Sequence, residues 1–530
     1  MVRDERGHTA GMKRSLFGFD EPYDRFELLE TETKTTGSSS DASEQRHAPQ
    51  PVPTRLSRVE AALKERFFAD QNPDLILRPF RIGRRFDALA AFLNGMADSG
   101  QIDEFLLAPA MRQEFPKLSR CTAKDLTESV FTLREAAAAR TLDEAVSAIA
   151  EGRAAVFWAG SDECLLFDTR GYVSRSVGQP QNEPTVLGPH EAFTENLRTN
   201  ITLLRRILRM PSFSAKLRPA GGKNGVQLAL CYHVQRVNRK LLSEVERRLD
   251  AIEADAVLSI GALEQRIEEH PWLPLPQTLK TERPDRAASA VLDGRIVLLL
   301  EGSPIACVLP VTIGMLFASA EDASMRRPVG TLVRLVRAAG MLLSVCMPAY
   351  FLALTQHHAG QLSGEVLSVV LSSHVLVFLP LPAEMIFLLL VFQLVREAGI
   401  RVPGVVGHAI GIIGGLLLGQ AAVAAHLVST VVLIIVALSG LGNFTIPDYS
   451  TQMCVAYYRI LLCVAATLGG FLGIGAAALL TLVLLCSVKS FGVPMLSPFA
   501  PATRTNRPFL VRGRLSRSGV QDFMNPEHAP

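Results

Sequence analysis

The sequence predicts an α/β cytoplasmic N-terminal region, built of two subdomains with a repeated helix–β-hairpin element, followed by an all-α multi-pass transmembrane domain. Three observations carry this prediction. Most of the charge lies in residues 1–337; from Ala338 to Val488 the charged side chains are Glu365, Glu384, Arg396, Glu397, Arg401, Asp448 and Arg459. That sparse stretch contains several runs near the roughly 20 apolar residues that a membrane helix needs. The third observation is internal: a segment from Asp143 aligns without gaps on one from Asp285. A net charge of +3 and a pI near 8.4 are too mild to point to nucleic acid, and none is expected as a partner.

Residues 1–55 read as a disordered polar tail. MVRDERGHTAGMKRSLFG is charged but lacks the apolar h-region of a signal peptide, and TETKTTGSSSDASEQRHAPQPVPT has too few apolar groups to pack. The N-terminal part is therefore expected to stay in the cytoplasm. A first subdomain is assigned to 56–185, with SRVEAALKERF a helix, DLILRPF a strand, and the periodicity of Phe86–Met96 another helix. The second spans 186–325, where VQLALCYHV (226–234) is a strand, RKLLSEVERRLDAI a helix and ADAVLSIGALEQRIE a strand–helix pair. The eight cysteines are scattered without C-x-x-C spacing and read as small buried apolar side chains.

In the repeat, DEAVSAIAEGRAAVFWAGSDECLLFD matches DRAASAVLDGRIVLLLEGSPIACVLP. The identities include Asp143/Asp285, Ala145/Ala287, Ser147/Ser289, Ala148/Ala290, Gly152/Gly294, Arg153/Arg295, Gly160/Gly302 and Ser161/Ser303. Both copies read as a helix, a Gly-Arg stop, an apolar strand, a Gly-Ser turn and a second strand. The match decides whether IVLLLEGSPIACVLPVTIGMLF spans a membrane. Its counterpart carries Asp162, Glu163 and Asp168, which hydrocarbon does not accept, so residues 296–311 are expected to form a buried β-hairpin.

The transmembrane helical domain is assigned to 326–489 and a cytoplasmic C-terminal tail to 490–530. Arg326, Arg327, Arg334 and Arg337 mark a cytoplasmic flank for the first membrane helix, and HHAGQLSGE (357–365) is expected on the other side. A second run is interrupted at Pro380-Leu-Pro382 and ends in the basic REAGIR (396–401). GHAIGIIGGLLLGQAAVAAHL and VSTVVLIIVALSGLG follow. YYRILLCVAATLGGFLGIGAAALLTLVLLCSVK is either one long helix or two broken at Gly469-Gly470. Arg504, Arg507, Arg512, Arg514 and Arg517 favour a cytoplasmic end, which requires an even number of crossings, four or six.

The chain contains no G-x-x-x-x-G-K-[ST], H-E-x-x-H or G-x-S-x-G motif and no metal-ligand spacing, so neither an enzymatic activity nor a cofactor is expected. The helical half carries the candidates. Gly411, Gly415 and Gly419, and separately Gly469 and Gly473, repeat at i+4 and would let helices approach closely, in ordinary packing or around a pore axis. Glu384, just after the proline break, is either an ion-path group at membrane depth or an interfacial charge. Asp448 and Arg459 flank NFTIPDYSTQ and are expected to pair there. With Arg396 and Glu397 they complete the candidate ion-path or gating set. His374 reads as a packing residue.

The most organised charged segment is VLGPHEAFTENLRTNITLLRRILRM (186–210). Pro189 suits a first helical turn and Glu191 the positive end of the helix dipole. Phe193, Leu197, Ile201, Leu204 and Leu208 form an apolar stripe. Arg198, Thr202, Arg205 and Arg209 form a second stripe, which is either a solvated face or a contact for a neighbouring subunit; in the latter case it is the candidate oligomer interface.

GPHEAFTENLRTNITLLRRI resembles the signature helix of GerA-type spore germination proteins, the A subunits of nutrient germinant receptors. SDECLLFDTRGYVSRSVGQPQNEP (161–184), TERPDRAASAVLDGR (281–295), REAGIRVP (396–403) and SFGVPMLSPFAP (490–501) agree in the same order. Leu187 departs from the pattern, since the family usually has Arg before Gly-Pro. The resemblance implies a subunit in the inner membrane of the spore, beside a transporter-like B subunit and a lipoprotein C subunit. It further implies a homo-oligomer, expected as a pentamer, forming a gated cation channel that turns nutrient sensing into ion release. The runner-up readings are the family's paralogue encoded with stage V sporulation channel proteins and a secondary transporter acting alone.

Overall fold

The computed structural model describes residues 50–112, 122–133, 136–171, 178–221, 225–253, 257–401, 419–497 and 499–500. The polar tail up to residue 49, the tail arginines beyond residue 500, Cys121, Gly411 and Gly415 lie outside them. Two five-stranded antiparallel sheets form the N-terminal region. The first contains β1 (Leu75–Ile82), β2 (Phe86–Leu93), β3 (Ala136–Ala139), β4 (Ala154–Trp158) and β5 (Cys164–Phe167), in the order β1-β2-β4-β5-β3. The second contains β6 (Phe213–Ala220), β7 (Val226–His233), β8 (Leu279–Thr281), β9 (Ile296–Leu300) and β10 (Ala306–Leu309), in the order β6-β7-β9-β10-β8.

The two sheets are copies. Leu142–Ala150, β4 and β5 reappear as Pro284–Leu292, β9 and β10, every boundary displaced by the 142 positions of the sequence repeat. The matched glycines have a physical reason to recur: Gly152 and Gly294 sit at φ 93° and 81°, and Gly160 and Gly302 at 84° and 80°. A side chain at any of these turns meets left-handed backbone strain. Residues 296–309 form the antiparallel β9–β10 hairpin expected from the repeat, with both strands fully buried.

Helices cover both faces of each sheet. The first carries α1 (Leu56–Arg66) and α2 (Leu142–Ala150) on one face and residues of the 102–131 helical segments on the other. The second is packed by α3 (Leu197–Leu208) and α6 (Pro284–Leu292) on one face, and by α4 (Arg239–Asp250) and α5 (Ile260–Ile267) on the other. This double coverage corrects the reading of Phe86–Met96 as a helix. Phe86, Leu89, Ala90 and Leu93 have helical spacing, yet the segment is the strand β2, whose alternate residues feed opposite cores, so the run is apolar throughout. The strand expected before α5 is absent among the described residues, where Val257–Ser259 leads directly to the cap of α5. The fold also begins before residue 56: Val52 is buried in the first core and its N–H donates to Arg140 O (3.1 Å).

The C-terminal part is helical: α7 (Arg327–His357), α8 (Gly364–His374), α9 (Leu381–Arg401), α10 (Thr430–Phe444) and α11 (Tyr449–Ser487). Among the described residues, α7 and α11 are long and apolar enough to cross a membrane. α11 is broken in two at Gly470 (φ 57°, ψ −136°), where it folds back on itself. A Cβ on Gly473 would stand 2.0 Å from Ala465 O, residues about 12 Å apart along a straight helix. Tyr458 and Leu485 pack against the same core cluster, which a straight helix would separate by about 40 Å. The helical hairpin has its apex against the end of α7, where His357 Nε2 lies 3.0 Å from Thr467 O.

Candidate functional site

Two of the stretches that carry the family resemblance, the signature segment and TERPDR, meet the linker between the two subdomains. The signature helix α3 starts at Leu197 rather than at Pro189. Asn196 is the better N-cap, its side chain accepting from Thr199 N–H (3.0 Å), and Glu301 in the β9–β10 turn accepts from Leu197 N–H (3.0 Å). Pro189–Glu195 instead precede the helix, fastened by Asn200, whose Oδ1 accepts from Thr194 N–H (2.7 Å). Phe193, Leu197, Ile201, Leu204 and Leu208 do line one core, as the stripe predicts.

The polar stripe divides. Arg205 is buried and faces inward, with Nη2 donating to Asn72 Oδ1 (2.8 Å) and to Asp74 Oδ2 (2.7 Å) of the first subdomain. Its guanidinium also lies over the Phe213 ring at 5.1 Å. Thr202 Oγ1 donates to Gly95 O (3.0 Å), again in the first subdomain. These two residues therefore join the halves of one chain and are not available to a neighbouring subunit. Arg198 and Arg209 are exposed.

The linker 181–193 is clamped by the segment around TERPDR. Glu282 accepts from the backbone N–H of Gln181 (2.8 Å) and Asn182 (3.1 Å), and Glu183 pairs with Arg286. Arg283, almost wholly buried, donates to Thr185 Oγ1 (2.6 Å) and Pro189 O (2.9 Å) while paired with Asp285 (2.8 Å). Arg286 continues the path by donating to Met315 O and Ala318 O (both 3.0 Å). Leu187 is exposed, and Glu321 accepts from the N–H groups of Val186 and Leu187.

Two further contacts tie this junction to the helical part. Asp322 holds Arg334 (3.0 Å) and Arg337 (3.1 Å) of α7, so two of the four flanking arginines share one internal carboxylate. The segment expected to begin a free tail at 490 returns instead to the second subdomain as a small hairpin of β11 (Lys489–Ser490) and β12 (Val493–Pro494). Ser490 Oγ accepts from Val311 N–H (3.0 Å) and donates to Gln277 O (2.6 Å), and Gly492 N–H donates to Glu269 Oε1 (2.9 Å). Phe491 is buried under the Arg248 guanidinium at 4.5 Å. Burial pushes the neighbouring Glu269 carboxyl up, and burial together with the charge of Glu264 pushes Glu268 up.

In the helical part, Glu384 is fully buried within the protein. It accepts from Ser429 N–H (2.5 Å) at the cap of α10, and its Oε2 lies 3.0 Å from His374 Nδ1 of α8. Asp448 and Arg459 do not pair: Asp448 caps α11 through Thr451 N–H (2.7 Å), whereas Arg459 donates to Ser439 Oγ (3.0 Å). Arg396 is buried beside Gln452. Glu397 follows it on α9.

Among the described residues, close approach at glycine includes the expected Gly473 and positions outside the i+4 repeats. A Cβ on Gly442 would lie 2.3 Å from Gly340 O, marking the α7–α10 crossing. Gly469 faces open space, Gly419 makes ordinary contact with Leu433 (3.7 Å), and Gly473 serves the turn of α11. A single sequence cannot reveal Asn72, Asp74, Asp322 or the return of Phe491, because each acts across a long chain separation and none belongs to a local pattern.

Comparison with known proteins gives a consistent result. The family model described as Bacillus/Clostridium GerA spore germination protein matches residues 61–521. Spore germination protein KA of Bacillus subtilis (strain 168) is 32% identical over 81% of this chain and 79% of its own. Spore germination protein B1 of the same organism is 31% identical over 81% and 88%. The solved N-terminal domain of the A subunit of the Bacillus megaterium spore germinant receptor GerK3 is 25% identical, covering 50% of this chain and 98% of that one, with a TM-score of 0.40.

Proposed function

Because this chain belongs to the GerA family of spore germination proteins, we propose that it is the A subunit of a nutrient germinant receptor that converts nutrient sensing into release of ions. The observation that carries this reading is mechanical continuity. The signature helix, the clamped linker, Asp322 and the Phe491 hairpin connect both soluble subdomains to the two ends of the helical part. A change of packing at the junction is thereby transmitted to α7 and α11, the geometry expected of a two-state switch.

In this reading the helical part is a multi-pass domain in the inner spore membrane, working with a transporter-like B subunit and a lipoprotein C subunit. The return of residues 489–495 to the second subdomain supports an even number of crossings. Copies of the chain assemble, as a pentamer, around a gated cation path. Glu384 supplies the carboxylate of that path and its contacts with His374 and Ser429 close it. Arg396, Glu397, Asp448 and Arg459 belong to the packing that shifts when the path opens. The outward-facing Arg198 and Arg209 take the subunit contact, since Arg205 and Thr202 are committed within the chain.

Deleting the gene and following potassium release from spores given single amino acids or sugars tests the role. Loss of release to at least one nutrient, restored by the wild-type gene, is the expected result; unchanged release to every nutrient would overturn it.

A further inference from the structure

Two arginines are buried in the helical part with no carboxylate at ion-pair distance. Arg459 is 1% exposed, Nη1 donating to Ser439 Oγ (3.0 Å), which itself donates to Ser344 O (2.8 Å). Arg396 is 9% exposed, Nη2 donating to the neutral Gln452 Oε1, with its guanidinium near the Phe444 (5.7 Å) and Tyr449 (5.4 Å) rings. No carboxylate lies within 4.0 Å of either among the described residues. Arg459 Nε and Arg396 Nη1 have no acceptor there.

Asn443 lies on α10, beside the residues of that helix that both arginines touch. Ser439, which Arg459 touches, is one turn before it, and Phe444, which Arg396 covers, follows it. Asn443 is 1% exposed, and both its Nδ2 and its Oδ1 lack a partner. An uncompensated buried guanidinium and an unpaired buried amide are both strongly unfavourable. Unpaired N–H groups on three helices, two of them cationic, call for a negatively charged acceptor.

We propose that Arg396, Asn443 and Arg459 form a binding site for a small monovalent anion, either a halide or the carboxylate of a small organic acid. Arg396 Nη1, Arg459 Nε and Asn443 Nδ2 donate to it, and it offsets the mutual repulsion of the two guanidinium groups. The anion locks α9, α10 and the first arm of α11 together, which makes this a structural anion site distinct from any cation path.

The test is thermal unfolding of the full chain in detergent. Gluconate, whose bulk excludes it from a closed interior, is replaced by chloride or by formate at constant potassium and ionic strength. A saturable rise of Tm is expected, with chloride for a halide and with formate for a carboxylate source. Asn443→Ala, which keeps both charges, and Arg459→Gln are each expected to raise the half-saturating concentration at least ten-fold. Identical Tm values in gluconate, chloride and formate would overturn the proposal. So would an anion-dependent rise that Asn443→Ala leaves unchanged, which assigns the effect to the protein surface; this variant and the wild-type titration keep the test decisive if Arg459→Gln fails to fold.

Discussion

Replacing Arg205 by Ala removes the charge that holds the two subdomains together. The guanidinium meets Asp74 at 2.7 Å and Asn72 at 2.8 Å, with Arg205 3% and Asp74 3% exposed, so truncation leaves a carboxylate and an amide buried without their donor. Breaking one side of a buried pair costs about 3–5 kcal/mol, a factor of roughly 10² to 10³·⁵ in the opening equilibrium. The loss includes the contact over Phe213. The contact joins two separate cores, so the junction should open before either sheet melts. Limited proteolysis of the detergent-solubilised full chain, read at the 181–196 linker, reports that opening, and denaturant unfolding reports its free energy. Arg205→Met combined with Asp74→Leu, which removes both charges while keeping apolar volume, is expected to recover most of the loss. A change below about 1 kcal/mol for Arg205→Ala, or a double variant no better than the single one, would refute the reasoning.

Further outcomes follow from the same geometry. His233 is buried with Nδ1 accepting from Gln235 N–H (3.2 Å) and Nε2 at 3.1 Å from Ser212 Oγ, and burial pushes its imidazole from 6.5 down to about 4. The unfolded chain binds this proton first, so the contribution of about 3 kcal/mol is present above pH 6.5 and lost as pH falls toward 4; His233→Gln should flatten that slope in pH-dependent unfolding. Leu187→Arg places a cation beside Glu321 and should raise stability by about 0.5 kcal/mol at low salt, an increment that high salt removes. Gly442→Ala puts a methyl against Gly340 O at 2.3 Å and should cost about 1–3 kcal/mol, seen as a lowered Tm of the purified chain. Arg198→Glu with Arg209→Glu should shift the detergent-solubilised chain toward smaller species in sedimentation while leaving its unfolding curve unchanged.

The repeat was readable because its matched glycines occupy left-handed turns and its arginines follow them, constraints that act within a few residues of chain. The same locality made β9–β10 legible as a hairpin despite its membrane-like composition. Double coverage hid β2, since a strand buried on both faces loses the alternation that identifies it. In the signature helix, the apolar stripe correctly located the core, but the polar stripe did not distinguish a solvent face from a subdomain junction. Arg198 and Arg205 differ by two turns of one helix, yet one is exposed and the other lies against Asp74, a residue more than a hundred positions away. The i+4 glycines of the helical part were likewise weak guides. Close approach falls at Gly473, one of them, and also at Gly340 and Gly442, where two helices cross; sequence spacing does not say which partner a helix meets.

The central claim is that the N-terminal region drives the C-terminal helices through the returning 489–495 hairpin, and the buried Phe491 is the most direct place to test it. Potassium release should be followed in spores lacking the gene and complemented with either the wild type or Phe491→Ala, at matched levels of protein in the spore membrane. Phe491→Ala empties the space under Arg248 and should cost about 3–5 kcal/mol at that contact, uncoupling the last helix from the second subdomain. The account predicts that the wild type restores nutrient-triggered potassium release and Phe491→Ala does not. Equal release from both would contradict it.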